Sequence, residues 1–160
     1  MENLLPIAGR IAARLKERRE TVAVAESSTG GLVSAALVAQ PGASVFFLGG
    51  SVVYTIESRR GFLGISDEAL RGIRASTEAY ALLAARGVRE RLATTWGIAE
   101  SGASGPAGNR YGDPPGHACV AVTGAIERAM TIETGRAERV ENMRIFAERA
   151  LRLLAETIGA

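Results

Sequence analysis

The sequence predicts an α/β protein, a three-layer α/β/α sandwich around a mixed sheet of about five strands. Three observations carry that prediction. Short apolar, partly β-branched runs alternate along the chain with segments of helical period. The 160 residues are 47% hydrophobic and 22% charged, which is ample apolar side chain for a core and an ordinary charged surface. No repeat, low-complexity tract or linker interrupts the pattern, so residues 1–160 read as a single domain.

Leu4 to Arg18 reads as an amphipathic helix, with Leu4, Ile7, Ile11 and Leu15 on one face and Pro6 in the tolerant first turn. Thr21 to Ala25 reads as a buried strand. Glu26 to Thr29 is a small polar turn, and Gly30-Gly31 opens a helix through Val38 that Pro41-Gly42 ends. Ser51 to Thr55 reads as the second strand, preceded by Gly49-Gly50. Glu57 to Phe62 begins a helix that Gly64 breaks, and Ser66-Asp67-Glu68 carries a helix-start signature. Thr77 to Ala93 is a longer helix with Tyr80, Leu83, Ala84, Val88 and Leu92 inward. Gly87 within it implies close packing, since glycine there costs up to about 1 kcal/mol relative to alanine. Trp96 to Glu100 reads as the third strand and Ser101 to Gly116 as a long loop rich in glycine and proline. Ala118–Val122 and Met130–Thr134 form a hairpin across residues 124–128. Glu138 to Thr157 closes the chain, with Val140, Met143, Phe146, Ala147, Ala150, Leu151 and Leu154 inward.

Composition narrows the function. A net charge of +2, with basic residues scattered among acids, lacks the basic stripe of a nucleic-acid binder. No apolar run is long enough to span a membrane, and Arg10, Arg14 and Lys16 interrupt any leader-like core. The lone cysteine, Cys119, excludes an internal disulfide and fits a reducing compartment, so a cytoplasmic location is expected. His117 is the single histidine, which argues against a histidine metal cluster; neither metal nor cofactor is expected. Lys16 is the single lysine. Neither nucleic acid nor a membrane is expected as a partner.

Two segments stand out as site candidates. The strand–turn–helix of Val22 to Leu32 gathers hydroxyls, glycines and the positive end of a helix dipole, a ready place for a phosphate, carboxylate or oxyanion. The same residues also read as a simple helix cap made by Ser28 or Thr29. The loop opening at Ser101-Gly102 is the second candidate, because open α/β sheets bind ligands beyond the carboxyl ends of their strands.

At these residues the chain resembles the C-terminal domain of the competence/damage-inducible protein CinA, a domain that also occurs alone as nicotinamide-nucleotide amidase. The resemblance runs from about Thr21 to Leu154. The family's Ala-Glu-Ser-Cys-Thr-Gly-Gly appears as Ala25 to Gly31, its Pro-Gly-Ala-Ser as Pro41 to Ser44, and its Phe-x-Gly-Gly as Phe47 to Gly50. A following tyrosine is Tyr54, the Ser/Thr-Gly-x-Ala-Gly-Pro loop is Ser101 to Pro106, and a late Gly-Asp-Arg falls near Ala137-Glu138-Arg139. The resemblance implies a CinA C-terminal-like fold and hydrolysis of the carboxamide of nicotinamide mononucleotide to nicotinate mononucleotide and ammonia. It carries the catalytic serine to Ser27, the tyrosine to Tyr54 and the lysine position to Arg59. It implies a small nucleotide as partner and carries substrate contacts to Ser101 and Arg139; Glu26, Thr29, Gly30, Gly31 and Gly102 of the two candidate segments are expected to bind substrate beside them, in a homo-oligomer, a dimer for preference. Departures are Ser28 for cysteine, Ser104 for alanine, Ala107-Gly108-Asn109, and Asp113 to His117.

Arg59 sets the mechanistic question. An arginine stays protonated at ordinary pH and cannot take over a lysine's role as general base. It can hold a deprotonated Tyr54 by charge attraction, leaving Tyr54 as the base. The alternative is a CinA-like domain that binds a nucleotide or phosphate ligand without turning it over. Glu26 reads as an anchor for its turn, His117 as a hydrogen-bonded structural residue and Cys119 as an inert core thiol.

Overall fold

The computed structural model describes residues 1–160. The elements are α1 (Leu5–Arg18), β1 (Val22–Glu26), α2 (Leu32–Val38), β2 (Phe47–Val52), α3 (Ile56–Leu63), α4 (Glu78–Leu92), β3 (Trp96–Ala103), β4 (His117–Thr123), β5 (Arg128–Glu133) and α5 (Arg139–Ile158). They form one mixed five-stranded sheet of order β2-β1-β3-β4-β5. β1 runs parallel to both β2 and β3, whereas β4 and β5 continue antiparallel. The predicted α/β sandwich is therefore the observed architecture. No helix is long and apolar enough to cross a membrane.

Alternation along the central strands sorts the core into two layers. Val22 and Val24 of β1, Trp96 and Ile98 of β3, and Val120 and Val122 of β4 pack with Ile11, Leu15, Phe146 and Leu151, under α1, α2 and α5. Ala23, Ala25, Ala99, Cys119 and Ala121 point the other way and pack with Tyr80, Ala81, Ala84, Ala85 and Val88 of α4. Large side chains fill one layer, and alanines let α4 lie close against the sheet in the other. At Gly97 an added Cβ would sit 2.1 Å from the Ala85 carbonyl oxygen.

Several boundaries differ from the sequence expectation. The second strand is Phe47–Val52, so Gly49-Gly50 lies inside it. Both glycines pair with β1, opposite Ala23 and Val24, and helix contact explains the second: a Cβ on Gly50 would collide with the Ser34 hydroxyl of α2. Thr55 instead caps α3, exchanging hydrogen bonds with Ser58 at 2.9 and 3.2 Å. Ser66-Asp67-Glu68 starts only a turn, with the Ser66 hydroxyl accepting from the Ala69 N–H at 3.1 Å. β3 runs on through Ser101 and Gly102, paired with β4 as far as Ala103 and His117. Leu92 and Val140 are exposed, and Asn142 takes the buried place on the first turn of α5. Gly87 packs tightly as expected, its Cβ position 3.3 Å from Ile65.

Candidate functional site

Two buried glutamates shape the turn after β1. Glu26, the last residue of β1, turns its carboxylate onto the start of α2. It accepts from the N–H groups of Gly31, Val33 and Ser34 at 2.8–3.0 Å and from the Ser34 hydroxyl at 2.7 Å. Glu100 of the adjacent strand β3 accepts from the N–H groups of Ser27 and Thr29 at 3.1 and 2.9 Å, from the Thr29 hydroxyl at 2.9 Å, and from the Ser28 hydroxyl. Burial pushes the Glu100 carboxyl above the usual range, against the pull of those donors. Of the three hydroxyls in the turn, those of Ser28 and Thr29 are committed to Glu100. The hydroxyl of Ser27 takes no partner within the chain, and Ser27 lines a cavity.

That cavity measures about 440 Å³ and lies at the carboxyl ends of β1 and β3. Tyr54 and Arg59 line it together with Ser27, Ser76, Ser101 and Tyr111. A smaller neighbouring chamber of about 170 Å³ shares Tyr54, Gly102 and Asn109 with it and is lined by Arg139 and Ser28. The Arg139 guanidinium donates to the Tyr54 hydroxyl at 2.9 Å and to the Gly105 carbonyl at 2.7 Å. Asn142 holds the same loop from below, donating to the carbonyls of Ser104 and Arg136 at 2.8 and 2.9 Å.

Arg59 turns inward, its side chain 14% exposed, with a single carboxylate partner, Asp67, at 3.4 Å. Its Nε is buried and makes no hydrogen bond. It lies beside Tyr80: burial raises the Tyr80 phenol above its usual range, and the Arg59 charge offsets part of that rise. Ser76 is held in a left-handed conformation, φ 58°, which costs a non-glycine residue free energy and recurs at functional sites. Two neighbours fix it. Its N–H donates to the Ser101 hydroxyl at 3.2 Å, and its carbonyl accepts from His117 Nε2 at 2.9 Å.

His117 has an acceptor beside each nitrogen, the Glu133 carboxylate at Nδ1 and the Ser76 carbonyl at Nε2, an arrangement that favours the protonated ring. Burial alone would lower its pKa; Glu133, Ser76 and Asp113 outweigh burial and raise it. Asp113 pins the loop between β3 and β4. It takes a two-pronged pair of bonds from Arg74 at 2.6 and 2.9 Å and one from Asn109 at 2.8 Å. The Arg74 bonds are the main reason its carboxyl is lowered to about 2.

The structure brings Ser27, Tyr54, Arg59, Ser101 and Gly102 to one cavity, with Arg139 joined through Tyr54. It places Glu26 and Thr29 outside the cavity lining: both are fully buried, Glu26 under α2 and Thr29 against Glu100. The Gly31 N–H is taken by Glu26 and the Gly30 N–H by the Ser27 carbonyl at 3.2 Å, so neither amide is an open anion donor. Tyr54 is bonded to Arg139, where the sequence reading paired it with Arg59. Glu100, Ser76, Arg110 and Tyr111 were not anticipated. Glu100 could have been suspected as a lone carboxylate inside an otherwise apolar strand.

Fold and site together define an α/β sandwich protein with a polar cavity at the carboxyl ends of two adjacent parallel strands, beside an uncommitted serine. The chain belongs to the CinA C-terminal domain family, whose model matches residues 5–158. It is 36% identical over 145 residues to the CinA-like protein of Salinibacter ruber, covering 91% of this chain and 35% of that one. It is 46% identical over 110 residues to the CinA-like protein of a Synechocystis strain, covering 69% of this chain and 26% of that one. The chain thus spans about a quarter to a third of the curated relatives it matches. Among solved structures, a competence-damaged protein (CinA) superfamily protein from Klebsiella pneumoniae superposes with a TM-score of 0.90 at 26% identity, covering 98% of each chain. A competence/damage-inducible protein from Agrobacterium tumefaciens gives 0.89 at 28% identity, covering 99% of this chain and 96% of that one.

Proposed function

We propose that this chain is an amidohydrolase of the nicotinamide-nucleotide amidase type, converting nicotinamide mononucleotide to nicotinate mononucleotide and ammonia. The observation that carries the reading is Ser27: its hydroxyl alone in the turn is uncommitted, and it shares one cavity with Tyr54 and Arg59. In this reading the Ser27 oxygen attacks the carboxamide carbon, and its proton passes to a Tyr54 phenolate that Arg139 stabilises. The carbon–nitrogen bond then breaks, and Tyr54 returns the proton to the departing nitrogen, which leaves as ammonia. Water attacks the acyl-serine by the same route in reverse and releases the acid. Arg59 remains a cation throughout and faces the negative charge that develops on the carbonyl oxygen.

A second reading, a domain that binds a nucleotide without turning it over, is favoured by the arginine standing where the family has its lysine. Ammonia release from nicotinamide mononucleotide separates the two. The first expects release that Ser27→Ala abolishes. Saturable calorimetric binding with no release, at high concentrations of folded protein, selects the second. A cytoplasmic homodimer belongs to the same reading, supported by exposed Leu48 and Val52 on the uncharged edge strand β2.

A further inference from the structure

The loop between β3 and β4 carries chemistry that the catalytic reading leaves unused. Arg110 and Tyr111 line the main cavity from this loop, whereas Ser27, Tyr54 and Arg59 reach it from the turns and helix that follow β1 and β2. The turn that presents them is fixed at several points. The Asn109 side-chain carbonyl accepts from the N–H groups of Tyr111 and Asp113 at 2.9 and 3.1 Å. Asp113 in turn ties the loop to Arg74. Two guanidinium groups, Arg74 and Arg110, lie 5.3 and 5.1 Å from the Tyr111 ring centroid, and Arg110 also donates to the Tyr111 hydroxyl at 2.9 Å.

The charges differ in one respect. Arg74 is neutralised by Asp113, whereas Arg110 makes no ion pair with any carboxylate of the chain. Glu57 is the single carboxylate lining a cavity that also holds Arg59 and Arg110. The volume is within the range of about 300–1,000 Å³ typical of small-molecule sites, so a ligand larger than its reacting carboxamide fits. A planar guanidinium held on an aromatic ring, pre-oriented and unneutralised, is suited to a phosphate.

We infer that Arg110 is a specificity-determining residue that receives the phosphate monoester of the substrate, held in position by Tyr111 and the Asp113–Arg74 clamp. The substrate chemistry rests on the amidase reading above. The test measures ammonia release from nicotinamide mononucleotide and from nicotinamide riboside, which share the carboxamide and differ in the phosphate. Parent, Arg110→Met and Arg110→Lys proteins are compared. The nucleotide-to-riboside ratio of kcat/KM falls by about tenfold or more in Arg110→Met, through KM, and recovers in part in Arg110→Lys. An unchanged ratio overturns the inference and leaves the amidase reading standing. Should the parent release no ammonia, calorimetry with adenosine monophosphate and adenosine decides. Phosphate-dependent binding that Arg110→Met weakens about tenfold sustains the inference without the amidase reading. Absence of that binding, or binding indifferent to the substitution, overturns it. Arg110 is exposed, so the variants are expected to unfold at the parent's temperature, which a thermal scan verifies.

Discussion

Arg139 and Tyr54, 85 residues apart in sequence, are joined by a 2.9 Å hydrogen bond from guanidinium to phenol oxygen. The bond places a cation on the one side chain of the cavity that the proposed reaction uses to move a proton. Tyr54→Phe is expected to lower ammonia release by about a hundredfold, the scale of a lost general base. Because Tyr54 is 57% exposed, its unfolding free energy should stay within about 0.5 kcal/mol of the parent. Arg139→Met should fall in the same direction, and the double variant should be no worse than Tyr54→Phe alone. Additive losses would show that the two residues act separately.

Ser27 and Glu100 separate chemistry from architecture. Ser27→Ala should abolish turnover and leave stability unchanged, since its hydroxyl has no partner to lose. Glu100→Ala should do the opposite first: it strands the buried donors of Ser27, Ser28 and Thr29 and costs about 3 kcal/mol. For a chain of this length that lowers the melting temperature by roughly 6–12 °C. A Glu100→Ala protein that melts with the parent would remove its role in holding the turn.

Legibility in the sequence followed periodicity. The apolar stripe of Leu4, Ile7, Ile11 and Leu15 identified α1 and its buried face, and the run from Val22 to Val38 gave the strand, the turn and the helix that position Ser27. What was misread depends on partners distant in sequence. Gly49-Gly50 reads locally as a break, yet both residues pair with β1 inside β2, and Gly50 is glycine because Ser34 of α2 comes close. The glycines after Ser27 read as an open anion site, yet Glu26 fills it from inside the same motif. Val140 has the right helical spacing for the core but is exposed, and Asn142 takes the buried place, where the loop offers the Ser104 carbonyl for a hydrogen bond.

Arg59→Lys tests the residue that departs from the family pattern. With arginine in place, turnover at neutral pH should be low, since a guanidinium cannot accept a proton. Lysine can both give and accept a proton, so Arg59→Lys should raise the rate at neutral pH. An Arg59→Lys protein no faster than the parent would remove residue 59 from the path of the proton.

Asp113 and His117 predict opposite acid and base limbs of stability. The Asp113 carboxyl is lowered from 3.8 to about 2, so its contribution is complete above the unfolded value and disappears as pH falls from about 4 toward 2. His117 is raised above 6.5, so its contribution is complete below that value and disappears as pH climbs through the folded one. Urea midpoints of the parent should decline on both limbs, Asp113→Asn should lack the acid one, and His117→Gln the alkaline one. The single imidazole also makes its NMR titration unambiguous: the midpoint should lie above 6.5 and drop in Glu133→Gln.

The edge strand β2 gives a prediction about assembly. Leu48 and Val52 stand exposed on it, and no residue of the strand is charged. Light scattering should find a dimer in the parent and a monomer in Leu48→Lys, because a lysine on an edge strand opposes strand pairing. A monomeric parent would dissociate the fold from self-association.

Glu26 has one more consequence, for how the protein meets its solvent. The amino end of α2 carries its own counter-ion, supplied by the preceding strand and sealed from water. Dissolved anions therefore have no vacancy to fill there, and added salt has little access to a charge pair beneath the surface. The fold of the Ser27 turn should be the same in dilute buffer, in high salt and in concentrated phosphate. Any ionic-strength or phosphate effect on ligand binding can then be traced to the guanidinium groups around the cavity.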